Sequence, residues 1–226
     1  GYLAERGWVC VTVNYRLAPA QRWPAMIVDV KRAIAWVREH IAGHGGDPDF
    51  IAITGGSAGA HLAALAALTP NDPDYQPGFT EVDTSLAAAV PMYGVHDFTG
   101  GRQGLRALLE DKVIGTTYAA DGHTWRQASP ALRVGPQAPP FLVVHGSTDT
   151  IVDVAQSRRL VQALRESSVP VGYAELPHAQ HGFDALATAR TAHSVAAVYR
   201  FLTAVHQREL PAGAGQTGRR QVAAGS

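Results

Sequence analysis

The stretch ITGGSAGAHLAALAAL, residues 53–68, sets a serine among glycines, after a β-like run and ahead of an alanine-rich helical one. Gly55-Gly56-Ser57-Ala58-Gly59 fits the pattern G-x-S-x-G. Between a strand and a helix, that pattern makes a sharp turn that holds the serine hydroxyl out at the C-terminal edge of a sheet. Small residues on either side of Ser57 let strand and helix approach without side-chain clashes. The Ala58 N–H, at the helix start, is then placed to donate to a developing oxyanion. The competing reading is a glycine-rich turn with an incidental serine. Phosphate binding does not fit, because neither G-x-x-x-x-G-K-[ST] nor G-x-G-x-x-G is present at this turn.

Working outward, apolar runs predict strands at Trp8–Tyr15, Phe50–Thr54, Ser85–Tyr93, Phe141–His145 and Val171–Leu176. Helices are predicted at Met26–Ile41, after the elbow, at Val154–Ser167 and over much of Asp184–His206. Residues 97–133 read as mixed helix without a strand, and Thr69–Asp83 as a surface loop. Strands alternating with helices predict an α/β fold: a mostly parallel sheet covered on both faces. The core is expected over residues 1–208, with a disordered Gly/Ala/Gln-rich tail over 209–226.

A serine hydroxyl needs a base, and the base needs an orienting acid. Asp149 follows the predicted strand FLVVH, at its C-terminal end; its bland reading is a turn aspartate. Asp153 is a rival, but with Gln156 it forms a capping pattern ahead of a helix. After VGYAELP come His178 and His181, and the glycine beside His181 favours it as the base. His61 belongs to the helix after the elbow, and His193 and His206 to the last helix, where they read as structural or solvated.

Composition narrows the classes. Of 226 residues, 19 are Lys or Arg and 19 Asp or Glu, so the balanced charge gives no electrostatic nucleic-acid surface. No apolar run approaches the ~18 residues of a membrane span. Cys10 is the single cysteine, so no internal disulfide forms; it is expected to be a buried small hydrophobe. The ten histidines do not fall into metal-ligand spacings, and neither a metal nor an organic cofactor is expected. The chain opens at Gly1-Tyr2 without a methionine, and Tyr2–Arg6 reads as a helix end closed by Gly7. From this we expect an N-terminally truncated sequence. A cytoplasmic location is the working expectation, and homo-oligomerisation is left open.

At this point the chain resembles the hormone-sensitive-lipase-like carboxylesterases of the α/β-hydrolase fold. The matching residues are Asn14-Tyr15-Arg16-Leu17-Ala18-Pro19, Trp23-Pro24-Ala25 with Asp29, Gly45-Gly46-Asp47-Pro48, Gly56-Ser57-Ala58-Gly59, His145-Gly146 with Asp149, and His181-Gly182-Phe183. The resemblance implies hydrolysis of small-molecule esters through an acyl-enzyme, with Ser57, Asp149 and His181 as triad and Ala58 in the oxyanion hole. It also implies that an upstream HGG or HGGG loop, the first strands and the cap are absent. His44-Gly45-Gly46 is a decoy, because it precedes the nucleophile strand. Phe98, Trp125 and Phe183 are the candidate substrate-binding residues. Two alternatives stay open. One is a serine peptidase of the prolyl-oligopeptidase type. The other is a catalytically incompetent fragment, or a non-catalytic binding module lacking the glycine loop.

Overall fold

The computed structural model describes residues 1–209. The rest of the predicted tail, from residue 210, lies outside the described residues. Four strands form one parallel sheet in the order β1 (Ala52–Gly56), β2 (Ala88–Met92), β3 (Phe141–Gly146) and β4 (Val171–Leu176). Helix α1 (Ala25–His40) precedes them, α2 (Ala58–Leu68), α3 (Gln103–Leu108), α4 (Gly122–Gln127) and α5 (Ala155–Glu166) run between them, and α6 (Ala189–Glu209) follows. The α/β expectation of a parallel sheet flanked by helices is met.

Side chains alternate across each strand, and the two faces carry different cores. Ala89, Phe141 and Val143 face a cluster with Ile27 and Ile34 of α1, Leu65 of α2 and Leu160 of α5. Ala88 and Val90 face the other way, against Val198, Leu202 and Val205 of α6. Helix α2 has nine of its eleven residues buried, so it is apolar all round and lies inside the fold. Its alanines let α1 and the sheet approach closely. Residues 97–133 hold α3, a π-helical turn at Leu109–Ile114 and α4, with no strand.

The strand expected at Trp8–Tyr15 does not form. Apart from Trp8 N–H donating to Leu3 O, its backbone groups bond to no other backbone group among the described residues. The reason is positional: β1 is the edge of the sheet, and a slot separates the segment from it. The slot has a volume of about 540 Å³, and its lining includes Trp8, Val9, Val11 and Val13 of the segment as well as Ile51 and Ile53. Apolar β-branched residues alone do not make a strand when no partner ladder is in reach. Cys10 is accordingly exposed, contrary to the sequence expectation. The segment is instead pinned at its far end. Arg16 donates Nε and a terminal guanidinium N–H to Asp29 of α1, and its backbone N–H to Asp29 Oδ2.

Candidate active site

The elbow joins β1 to α2. Ser57 has φ 55° and ψ −119°, a conformation that costs a non-glycine residue about 1–3 kcal/mol. Its backbone is tied to the next strand, Ser57 N–H donating to Met92 O at 3.0 Å. A Cβ at Gly55 would overlap the backbone of Gly59, and one at Gly56 would overlap the Tyr93 ring and hydroxyl. These glycines therefore fix how closely the helix and the β2 terminus approach the serine. Ala58 is exposed, and its N–H is among the first amides of α2, which lack intrahelical acceptors.

The acid and the base sit on loops after β3 and β4, and these loops are stitched together. Ser147 N–H donates to Leu176 O, Thr148 N–H to Ala179 O, and His178 N–H to Ser147 Oγ. A side chain at Gly146 would strike the Ala179 carbonyl, so this approach also depends on a glycine.

The result brings together three residues far apart in sequence. His181 Nε2 lies 2.8 Å from Ser57 Oγ, and His181 Nδ1 lies 2.7 Å from Asp149 Oδ2. A carboxylate accepts only, so Nδ1 carries the proton and Nε2 presents its lone pair to the serine hydroxyl. Asp149 Oδ1 accepts from the Ile151 and Val152 N–H groups at 2.9 Å each, and the Asp149 side chain is fully buried. Such an arrangement can move the serine proton onto imidazole and stabilise the imidazolium.

The rival residues fall elsewhere. Asp153 Oδ1 accepts from Ala155 N–H just ahead of α5, but the residue at the helix cap is Val154, so Asp153 lies one position before the expected cap, where it pairs with Arg102. Its expected partner Gln156 instead reaches away, accepting from His96 and Asp97 N–H and donating to Asp97 O and Gly100 O. His178 is exposed. His61 Nε2 donates to Ala128 O at 2.7 Å, and its ring stacks on Phe98. Burial pushes the His61 pKa down to about 4. The His44-Gly45-Gly46 turn lies before β1, at the opposite end of the strand from Ser57.

Of the proposed substrate contacts, Phe98 and Trp125 are 3% and 0% exposed and pack with Leu109, Ile114 and Ala128. Their rings have no free face for an acyl chain; both are core residues. Both are aromatic, and aromatic type alone does not separate a pocket wall from a core. Phe183 is half-buried, with its ring edge-on to Tyr93 at 5.3 Å.

Sequence reasoning missed the Tyr93–Asp184 pair, and it named His145 only as part of the segment leading to Asp149, without its contact to the acid. His145 Nε2 is 3.1 Å from Val152 O and 3.3 Å from Asp149 Oδ2, and its Nδ1 is 2.7 Å from Ser157 Oγ. Val152 O can only accept, so Nε2 bears the hydrogen and also faces the acid. Burial lowers the pKa of His145, and the Val152 carbonyl and Asp149 oppose the shift. Tyr93 and Asp184 form the other unexpected pair, the Tyr93 hydroxyl donating to Asp184 Oδ1. His145 had a weak signal, since it lies four residues before Asp149. Tyr93 and Asp184 are 91 residues apart and had none. Among the described residues no group of His, Cys, Asp and Glu is arranged to hold a metal, and no helix is long and apolar enough to cross a membrane.

Known proteins place this geometry in context. The BD-FAE family matches residues 2–164. The "Probable carboxylic ester hydrolase LipM" of Mycobacterium tuberculosis is 53% identical over 210 residues, covering 91% of this chain and 49% of that protein. "Esterase LipQ" of the same organism is 51% identical over 214 residues, covering 93% of this chain and 51% of that one. The chain thus spans about half the length of these relatives. Among solved structures, the apo form of Thermogutta terrifontis esterase 2 matches with a TM-score of 0.76 at 26% identity, covering 90% of this chain and 74% of that one. A truncated carbohydrate esterase from gut microbiota matches with a TM-score of 0.75 at 24% identity, a likeness of fold alone, over 87% of this chain and 73% of that one. This chain belongs to the BD-FAE family, among the hormone-sensitive-lipase-like carboxylesterases of the α/β-hydrolase fold.

Proposed function

We propose that the whole protein is a serine carboxylesterase acting on small-molecule esters, with Ser57 as nucleophile, His181 as general base and acid, and Asp149 as orienting acid. The observation that carries this reading is the continuous contact from Ser57 Oγ through the His181 ring to Asp149. His181 Nε2 accepts the hydroxyl proton as Oγ attacks the ester carbonyl. Asp149 stabilises the imidazolium. The Ala58 N–H donates to the oxyanion of the tetrahedral intermediate. His181 then protonates the departing alcohol oxygen, leaving an acyl-serine. Water, deprotonated by His181, attacks that acyl group and releases the acid.

The chemistry needs a second oxyanion donor, and the His44-Gly45-Gly46 turn is at the wrong end of β1 to supply it. We assign that donor to the part of the whole protein outside this chain, which spans about half the length of LipM and LipQ. Phe183 stays in the proposal as a wall of the substrate site. Short to medium acyl chains are the proposed range.

The test is hydrolysis of p-nitrophenyl butyrate by the whole protein. Ser57→Ala should lower kcat on the order of 10⁶-fold, to the floor of the assay. Turnover that survives the substitution would refute the assignment.

A further inference from the structure

His181 sits on a loop, between a left-handed Gly182 at φ 65° and a left-handed His178 at φ 55°. Upstream of it, Ala179 and Gln180 bond to the Asp149 loop, Gln180 Oε1 accepting from Thr150. Downstream, the chain enters an exposed turn at Ala185–Thr188. The imidazole needs something on that side to hold it between two partners 2.7 and 2.8 Å away.

Tyr93 reaches that side from the sheet. It follows β2 directly, with φ 44°, and its N–H donates to Val144 O at 2.8 Å. A non-glycine residue in the left-handed region is strained, so the surrounding structure must hold it there. Tyr93 is 7% exposed. It meets the His181 ring edge-on at 4.9 Å and the Phe183 ring at 5.3 Å. Its hydroxyl lies in the space that a Gly56 side chain would fill, and donates to Asp184 Oδ1. One side chain therefore touches the elbow, the histidine ring and the residues that follow the histidine. Burial and the Asp184 carboxylate both raise the Tyr93 pKa, which favours the phenol as a hydrogen-bond donor.

We propose that Tyr93 and Asp184 form a brace that positions His181 between Asp149 and Ser57. Tyr93 and Asp184 are positioning residues: they act through the histidine and not on the substrate. The inference rests on the reading of Ser57 and His181 proposed above. Without the brace the ring samples orientations in which Nε2 leaves Ser57 Oγ. Loss of alignment lowers the rate of each proton transfer but leaves substrate affinity alone.

The experiment uses the whole protein with Tyr93→Phe, Asp184→Ala, Asp184→Asn and the Tyr93→Phe/Asp184→Ala pair. Ser57→Ala is the control. Steady-state hydrolysis of p-nitrophenyl butyrate gives kcat and KM, and a fluorophosphonate gives the rate of serine labelling. Tyr93→Phe keeps the ring and removes only the hydroxyl. It should lower both kcat and the labelling rate by about 10- to 100-fold, the scale of a small misplacement of reacting groups, with KM within about twofold of the parent. Asp184→Ala should match it, and the pair should be no worse than either single change. Asp184→Asn, which keeps an acceptor oxygen, should recover most of the rate. The brace is overturned if Tyr93→Phe and Asp184→Ala both turn over within about twofold of the parent while Ser57→Ala is dead. It is overturned too if Asp184→Asn loses as much as Asp184→Ala. Activity in Ser57→Ala would instead strike the underlying serine assignment, so the two failures are told apart.

Discussion

At the scale of single residues, the elbow separates glycines that the sequence pattern treats alike. Both ends of G-x-S-x-G are defined as glycine, yet only Gly55 is held by contact, against the backbone of Gly59. Nothing stands within 4 Å of a Cβ built at Gly59. Gly55→Ala should therefore destabilise the fold by several kcal/mol, because backbone cannot yield as a flexible side chain does. Gly59→Ala, in the first turn of α2, should be neutral or stabilising by up to ~1 kcal/mol. Urea unfolding of the two variants decides this; equal losses would contradict it. Ser57, Asp149 and His181 could be singled out in the sequence because each follows a legible strand. Phe98 and Trp125 were mistaken for pocket residues because burial is a property of the packed chain. The Tyr93–Asp184 bond depends on two distant loops meeting, which no local pattern encodes.

Among the elements, α2 carries the nucleophile and is capped from outside its own sequence. Lys31 of α1 is fully buried and donates Nζ–H to Ala66 O, Thr69 O and Thr84 Oγ1. Ala66 O and Thr69 O are carbonyls at the end of α2, which no helix can satisfy by itself. Burial lowers the Lys31 pKa to about 7; Asp72 and Asp83 oppose the shift, and Arg133 adds to it. The sign follows from proton counts. Between about pH 7 and the ordinary lysine range near 10.5, the unfolded chain binds a proton at this residue that the folded chain has largely shed. Folding stability should therefore rise through that window relative to Lys31→Met, and be parallel to it below pH 7. Denaturant melts at pH 7 and pH 9.5 test this, and a difference that stays constant would contradict it.

The same scale explains the one strand that sequence misplaced. Trp8–Tyr15 has the composition of a strand, but a strand is a relation between two chains of backbone, and here the neighbour is a slot. Val9, Val11 and Val13 are about 40% exposed, beside an unpaired β1 edge. Such edges recruit other chains unless a charge interrupts them. The 226-residue chain by itself should show concentration-dependent light scattering, and Val11→Lys should suppress it. Scattering that is flat with concentration, or unaffected by the lysine, would count against the edge as its source.

For the whole molecule, a mostly parallel sheet covered by helices was legible from short apolar runs alternating with helical periodicity, whereas the strand order β1-β2-β3-β4 was not, because pairing is set by contacts between distant segments. The register that puts Gly56 beside Met92 and lets the β3 and β4 loops meet is a consequence of the parallel ladder, and it brings the three residues together. Site geometry is thus a property of the whole sheet, while the identities of its residues are local. The central claim is that Ser57 is an activated nucleophile. The most direct measurement is to treat the whole protein with a fluorophosphonate and locate the mass addition by peptide sequencing. The account predicts one adduct, on Ser57, lost in His181→Ala as well as in Ser57→Ala. An adduct on another residue, or labelling of Ser57 that does not depend on His181, would contradict it.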